Sequence, residues 1–292
     1  MLKCVILAIC LFKFFSLSAA ISCKDDNGND VDWFIIYKLP KISESNNELV
    51  KAGVGYYYFD PIVQTGRLST VGIDSPNQSL GITVNQIYRN YDAKNVAHLM
   101  YSDSPPNDKS VPKSKGHTKG VVCLNTAGGF WLIHSVRLFP TSLNSNSKYS
   151  WPDNARIHGQ SLLCISANVR GAGFQKIVTA LQYNCPGIYD HRIPDVVENA
   201  VKGLSDVVQG NCKQSEEDCK YHAQIKRRGG VAIDIFAKSK QFKKVSLSQH
   251  TGRDCDSFDS DVVEEEFRSN DAPESDTYTQ DRAREQHKDR EI

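Results

Sequence analysis

The chain has 292 residues, of which 40% are hydrophobic and 24% charged, and its formal net charge is +1 at pH 7. Beyond the N-terminal segment no stretch is long and apolar enough to cross a bilayer, which argues against a membrane-spanning protein. The nine cysteines are spaced irregularly, which argues against a zinc site.

The N-terminus has the pattern of a secretory signal peptide over residues 1–20. Lys3 precedes a mostly apolar run from Cys4 to Leu17, and the small residues Ser18-Ala19-Ala20 follow this run. The alternative, a membrane anchor, fits less well because the run is short and ends in small residues. We therefore expect cleavage after Ala20 and a soluble mature protein, without a membrane span, that is secreted or lysosomal.

The segment from residue 21 to residue 244 predicts a mixed α/β domain. Runs rich in β-branched and aromatic residues indicate strands, and apolar residues at intervals of three and four indicate helices. The predicted strands span Val31–Leu39, Gly53–Phe59, Val96–Tyr101, Val121–Leu124, Phe130–His134, Ser161–Ile165 and Val231–Phe236. The predicted helices span Ser79–Tyr91, Phe174–Leu181 and Pro194–Leu204. The first strand is apolar almost throughout, as a strand buried on both faces would be.

The C-terminal segment from residue 245 to residue 292 has a different composition. From Arg253 to Ile292 it contains fourteen Asp or Glu against six Lys or Arg, and few apolar residues. Such a segment cannot bury enough apolar surface to offset its ordering entropy, so we expect an acidic, disordered tail. Between Lys220 and Lys244 basic residues are frequent, which is typical either of a polyanion-binding surface or of a solvated basic face.

Cysteine usage and one sequon agree with the secretory route. Removal of the signal peptide leaves seven cysteines, an odd number, so at least one thiol is expected to be free or intermolecular. Cys212 and Cys219 flank a short hydrophilic loop and are candidates for a local disulfide. Asn77-Gln78-Ser79 is an N-glycosylation sequon that is either modified at Asn77 or left unused.

Five sequence blocks resemble the deoxyribonuclease II family and occur in the family's order. The blocks are Val31–Pro40, Gly116–Val121, Gly129–Val136, Gly159–Cys164 and Phe236–Lys238. Several long matches in register are specific, so the chain is identified as a member of this family. The resemblance implies a phospholipase D-like fold, in which two similar α/β halves each contribute one His-x-Lys motif to a shared site.

The first of these motifs is Gly116-His117-Thr118-Lys119-Gly120. On a strand, His117 and Lys119 point to the same side and can face one phosphodiester. The resemblance implies that one histidine of the two half-sites attacks phosphorus and the other protonates the departing 5′ oxygen. The two lysines then stabilise the phosphoryl oxygens, so that acid cleavage of DNA to 3′-phosphate ends needs no metal or other cofactor.

His134 matches a histidine that the family needs for activity. The alternative is a structural histidine that is satisfied by hydrogen bonds behind the site. The resemblance also implies a disulfide between Cys23 and Cys164, which match family cysteines that pair with each other. The partners of the remaining cysteines stay open: Cys123, Cys185, Cys212, Cys219 and Cys255.

The second half of the family pattern is mostly missing from this chain. In the family the second His-x-Lys lies far downstream in an Asp-His-Ser-Lys-Trp-like block, and after Phe242 this sequence has no such block. We therefore expect a complete first half and only the opening elements of the second. Three functions are compatible with this pattern: a deoxyribonuclease that completes its site by pairing two copies in a homodimer, a secreted DNA-binding protein without catalysis, and a chain that folds poorly and has no function.

Overall fold

The computed structural model describes residues 21–106, 111–112, 114–144, 147–213, 220–226, 232–240, 242–244 and 256–257. The predicted signal peptide, Cys219, Cys255 and nearly all of the predicted tail lie outside the described residues. The chain divides into two units, Met1–Phe242 and Lys243–Ile292. In the second unit the described residues form one parallel pair of short strands, Lys243–Lys244 with Asp256–Ser257. No helix within the described segments is long and apolar enough to span a membrane.

The first unit contains both strands and helices, which confirms the predicted mixed α/β class. Its strands are β1 Cys23–Lys24, β2 Asp30–Val31, β3 Trp33–Lys38, β4 Tyr56–Phe59, β5 Arg67–Leu68, β6 Ala97–Tyr101, β7 Gly120–Leu124, β8 Gly128–His134, β9 Gln160–Asn168, β10 Ile188–Arg192, β11 Lys220–Lys226 and β12 Ala232–Lys238. Its helices are α1 Glu48–Lys51, α2 Ser79–Arg89, α3 Gly173–Asn184, α4 Asp195–Ala200 and α5 Leu204–Gln209, with a 3-10 turn at Asp153–Ala155.

Eight of these strands pair into one sheet in the order β10–β6–β7–β8–β9–β3–β4–β5. Every neighbouring pair in this sheet is antiparallel. The remaining strands of the unit form two separate antiparallel pairs, β1 with β2 and β11 with β12. Strands that are neighbours in this sheet are not always consecutive in the chain, since β9 lies beside β3 and β10 lies beside β6.

Alternation of side chains along the strands separates two hydrophobic cores, one on each face of the sheet. Along β7, Val121 and Cys123 belong to the first core, whereas Val122 and Leu124 belong to the second. Helix α2 covers the first core with a stripe of fully buried apolar residues at helical spacing, namely Leu80, Val84 and Ile87. Its start is fixed by Gln78, whose side-chain oxygen accepts a hydrogen bond from the Leu80 N–H at 2.7 Å.

Helix α3 forms the middle layer of the second core. Phe174, Ile177, Val178 and Leu181 are fully buried between the sheet and the β11–β12 hairpin. The sequence predicted α3 and the last strand, but it did not predict β11. The alternating residues of β11 are polar on the outer face, so its β-strand character depends on pairing with β12.

Strand β3 is fully buried on one face and only partly covered on the other, so the prediction of burial on both faces is wrong. Phe34, Ile36 and Lys38 are fully buried, whereas Tyr37 is 50% exposed. The reason is the position of α3, which packs on β8 and β9 and leaves this face of β3 partly open. The buried Lys38 ammonium is satisfied by three carbonyl oxygens of the segment that precedes β9, those of Ala155, Arg156 and His158, at 2.7, 2.5 and 2.7 Å.

The helix predicted over Pro194–Leu204 is two short helices, α4 and α5. The helical conformation is interrupted before Gly203, where φ is +90°, a left-handed conformation that favours glycine. The Glu198 carboxylate accepts hydrogen bonds from the N–H groups of Gly203 and Ser205 at 2.8 and 3.0 Å. This carboxylate stabilises the bend because it satisfies N–H groups at the start of α5.

Two disulfides join distant parts of the first unit. Cys23 is bonded to Cys164, the pair that the family resemblance implies. Cys212 is bonded to Cys185 at the end of α3, so the predicted local disulfide between Cys212 and Cys219 is wrong. The Lys213 N–H donates to the Gln182 carbonyl at 2.9 Å, which holds this segment beside the last turn of α3. Cys123 is a free, fully buried thiol.

We predict that loss of the Cys23–Cys164 disulfide destabilises the protein more than loss of the Cys185–Cys212 disulfide. The two bonds span 141 and 27 residues, and the entropy that a crosslink removes from the unfolded chain rises with loop length. In this chain-entropy description, the longer loop contributes at most about 5 kcal/mol, about 1.5 kcal/mol more than the shorter one. Denaturant unfolding of the two double Cys→Ser variants measures the difference, and an equal or reversed order would contradict it.

Candidate active site

The His-x-Lys motif lies in the loop that leads into β7. Strand β7 begins at Gly120, so His117 and Lys119 precede the strand instead of lying on it as expected. The motif is held at both ends by backbone contacts: Gly116 N–H donates to the Cys185 carbonyl at 2.9 Å, and Lys119 O accepts from the His134 N–H at 3.2 Å. The loop is therefore fixed between the end of α3 and strand β8.

A carboxylate that the sequence reasoning missed brings the two motif residues together. Lys119 Nζ lies 2.6 Å from Asp103 Oδ1, and His117 Nδ1 contacts Asp103 Oδ2. The Lys119 and Asp103 side chains are only 9% and 15% exposed, whereas the His117 side chain is 82% exposed. Asp103 thus compensates the buried ammonium group and holds the imidazole by Nδ1, which leaves its Nε2 edge available to a substrate.

Antiparallel pairing explains why Asp103 lies beside the motif. Tyr101 at the end of β6 is the register partner of Gly120 at the start of β7. Residues that follow β6 and residues that precede β7 therefore meet at the same edge of the sheet. The signal in the sequence was an acidic residue two positions after the end of the predicted strand Val96–Tyr101, with the next predicted strand beginning just after the motif.

Both glycines of the motif are required by close packing. A Cβ on Gly116 would overlap the carbonyl oxygen of Asn184, and a Cβ on Gly120 would overlap the Tyr101 hydroxyl. The same Tyr101 hydroxyl accepts a hydrogen bond from Trp131 Nε1 at 2.8 Å and is hydrogen-bonded to the Thr118 side chain. Thr118 therefore faces the protein interior and the middle position of the motif serves to anchor the loop.

His134 lies at the end of β8, behind Lys119. Its side chain is 6% exposed and meets the Phe139 ring edge-on, with 5.4 Å between ring centroids. Among the described residues, neither ring nitrogen of His134 has a hydrogen-bond partner of good geometry. Burial, and secondly the Lys119 charge, lower the pKa of His134 to about 3, although a contact with the Val136 backbone opposes this shift. The imidazole is therefore neutral in mildly acidic solution.

Within the described part of the chain, the other histidines do not contact the Asp103 group. His98 is buried in β6, with Nε2 2.9 Å from the Asp190 carboxylate in β10. His158 and His191 are exposed. Within the described segments no three His, Cys, Asp or Glu side chains are grouped as they would be in a metal site. Asn77 of the sequon is exposed.

We predict that the buried His134 makes the protein less stable in acid. Its folded-state pKa of about 3 lies below the ordinary value of 6.5, so below pH 6.5 the unfolded chain takes up a proton that the folded chain excludes. By linkage the free energy of unfolding falls by about 2–3 kcal/mol between about pH 7 and about pH 4.5.

Denaturant unfolding over this pH range measures the slope, and His134→Gln should flatten it. The matched control is His158→Gln, at an exposed position, which should keep the slope of the unsubstituted protein. An equal slope in the His134→Gln variant would show that other groups cause the acid sensitivity.

Comparison with known proteins identifies relatives of this chain. The sequence model of the deoxyribonuclease II family matches residues 22–255. The chain is 37% identical over 226 residues to plancitoxin-1 of Acanthaster planci, an alignment that covers 77% of this chain and 62% of that protein. It is 37% identical over 225 residues to deoxyribonuclease-2-alpha of Rattus norvegicus, covering 76% of this chain and 63% of the relative. To deoxyribonuclease-2 of Caenorhabditis elegans it is 31% identical over 265 residues, covering 80% and 68%.

The chain thus spans 62% and 63% of the length of the first two of these relatives. The match nevertheless includes the whole eight-stranded sheet, the His117–Lys119 motif, Asp103 and both disulfides. The chain belongs to the deoxyribonuclease II family.

Proposed function

We propose that this protein is a deoxyribonuclease II-like endodeoxyribonuclease, which hydrolyses DNA phosphodiesters in mild acid and leaves 3′-phosphate ends. The observation that supports this function best is the shared carboxylate. Asp103 contacts both His117 and Lys119 where β6 ends and β7 begins. An exposed imidazole beside a buried, fixed ammonium group is the arrangement that attack on a phosphodiester requires.

In the proposed reaction, the Nε2 lone pair of one histidine attacks phosphorus and forms a phosphohistidine. The bond to the 5′ oxygen breaks, and the histidine of a second half-site gives this oxygen a proton. Water then cleaves the phosphorus–nitrogen bond and releases the 3′-phosphate. Lys119 stabilises the phosphoryl oxygens throughout, and since lysine supplies the positive charge, we propose that no metal or other cofactor takes part.

The proposed site needs a second half. The sequence contains one His-x-Lys, at His117 and Lys119. In the phospholipase D-like arrangement that the resemblance implies, a second copy of the chain supplies the other motif, so the active species is a homodimer. The single motif is also the observation that favours the second candidate, a secreted DNA-binding protein that does not cleave DNA.

We propose that the protein works in the secretory or lysosomal compartment, after removal of a signal peptide over residues 1–20. Two disulfides within the described residues support an oxidising environment during folding. The exposed Asn77 supports glycosylation of its sequon.

We predict that cleavage of DNA occurs only in acid, survives EDTA and disappears in His117→Ala. In the proposed homodimer both histidines are His117, so this substitution removes the nucleophile and the general acid together, and the general acid alone is typically worth about 10²–10⁴-fold. If two copies build the site, the rate rises faster than linearly with protein concentration. A supercoiled-plasmid nicking assay over a dilution series measures this dependence. Robust cleavage by a proven monomer, strictly linear in concentration, would show that another residue replaces the second half-site.

We predict that Asp103→Asn lowers kcat by about 10²–10⁴-fold, by analogy with carboxylates that orient a catalytic histidine. The amide keeps the shape of the side chain but loses the charge that holds Lys119 and His117. A positioning role predicts a fall in kcat with little change in KM, and partial recovery in Asp103→Glu. Asp153→Asn is the control, because this carboxylate is 94% exposed and contacts Arg156 instead. Equal effects of the two Asn variants would contradict a specific role for Asp103.

A further inference from the structure

The outer face of the β11–β12 hairpin carries an aromatic stack whose two side chains are each more than half exposed. Its inner face is occupied, since Ile225, Ile235 and Ala237 are buried against α3. On the outer face the rings of His222 and Phe236 lie parallel, with centroids 4.5 Å apart and 3° between their planes. Phe236 is 64% exposed, an unusual degree for a large aromatic side chain.

The stack is one of three cross-strand pairs on this face, which change from basic to aromatic to acidic and amide along the hairpin. Lys220 faces Lys238, His222 faces Phe236, and Gln224 faces Asp234. His222 Nε2 lies 2.7 Å from the Asp234 carboxylate, which holds the imidazole in the plane that stacks on Phe236. An orientated pair of rings therefore has two lysines on one side, and we call these four residues (Lys220, His222, Phe236 and Lys238) the stacking platform.

The lysine end of the stacking platform and the His117 motif lie at the same end of α3. Tyr221, which follows Lys220, stacks on Tyr183 in the last turn of α3, with centroids 5.4 Å apart. The motif is tied to the same turn, because Gly116 N–H donates to the Cys185 carbonyl at 2.9 Å. The motif loop and the hairpin therefore both contact the C-terminal end of the same helix.

We propose that the stacking platform binds an unpaired nucleobase of single-stranded DNA, with the exposed Lys220 on a neighbouring phosphate. Aromatic rings displayed on strands and flanked by cations are the usual means of holding single strands, because every base offers a face for stacking. The choice of DNA rests on the proposed function; the stacking geometry does not. One exposed phenyl ring among Lys, His, Asp and Gln side chains is small and polar for the centre of a stable protein interface.

Fluorescence anisotropy with a labelled oligodeoxynucleotide of about 12 nucleotides tests this proposal. The full chain carries His117→Ala, so that the probe is not consumed. Phe236→Ala should weaken binding by about 5- to 100-fold, and Phe236→Tyr should retain it. Ile157→Ala, at an apolar residue that is 60% exposed outside the hairpin, is the matched control and should leave the affinity unchanged.

An oligonucleotide of the same length with abasic sites separates stacking from charge. It keeps the phosphates but lacks bases, so its affinity should be insensitive to Phe236→Ala. The proposal would be overturned if the chains with and without Phe236→Ala bound the base-containing probe equally. It would also be overturned if Phe236→Ala weakened binding of the two probes by the same factor, or if neither probe bound at low salt. A change in sedimentation on Phe236→Ala without a change in binding would overturn it as well, because the platform would then contact a second copy.

Cleavage by the chain with His117 intact tests the proposed function separately. A chain that binds with the expected Phe236 dependence but does not cut DNA retains the platform and refutes the nuclease. A chain that cuts DNA while Phe236→Ala leaves binding unchanged retains the nuclease and refutes the platform.

Discussion

The antiparallel pairing of β6 with β7 is the constraint on which the site depends. The register that places Tyr101 opposite Gly120 also places Asp103 beside His117 and Lys119. A shift of this register by one residue would turn the flanking side chains to the other face of the sheet. The absence of a Cβ at Gly120 permits the register, because the Tyr101 hydroxyl occupies that space and is itself held by Trp131. The contacts that pack the core around Tyr101 and Gly120 thus also position the side chains of the site.

Helix α3 connects the sheet that carries the site to the β11–β12 hairpin. One side of the helix packs on β8 and β9, and the other side packs on the β11–β12 hairpin. Its last turn also receives the motif loop and the Cys212 segment, through the carbonyls of Cys185 and Gln182. The helix ends at Cys185 in a left-handed conformation with φ of +48°, which turns the chain sharply into β10. The motif loop, the Cys212 segment and the turn into β10 therefore meet at the C-terminal end of α3.

The sequence predicted the elements that have strong local signals. Strands such as Val121–Leu124, and the helix that begins at Ser79, are defined by apolar periodicity that tertiary packing then reinforces. The sequence missed β11, whose alternating polar residues become a strand only against β12, and it merged α4 with α5 because the left-handed Gly203 is not visible in a hydrophobic pattern. The resemblance supplied His117, Lys119 and the Cys23–Cys164 pair. Asp103 gave only the weak signal of an acidic residue after a predicted strand, and its contact with the motif depends on the pairing of β6 with β7. The Cys185–Cys212 pair depends on packing at the end of α3, which no local pattern contains.

The buried Cys123 has a consequence for how the protein matures. Its side chain lies in the first core with no exposed surface, and burial raises the pKa of its thiol. Disulfide exchange proceeds through a thiolate that reaches the attacked sulfur, and Cys123 lacks both the charge and the access once the sheet has formed. While the chain is unfolded the same thiol competes for Cys23 and Cys164. Once β7 has paired with β6 and β8, Cys123 can therefore no longer exchange with the correct disulfides.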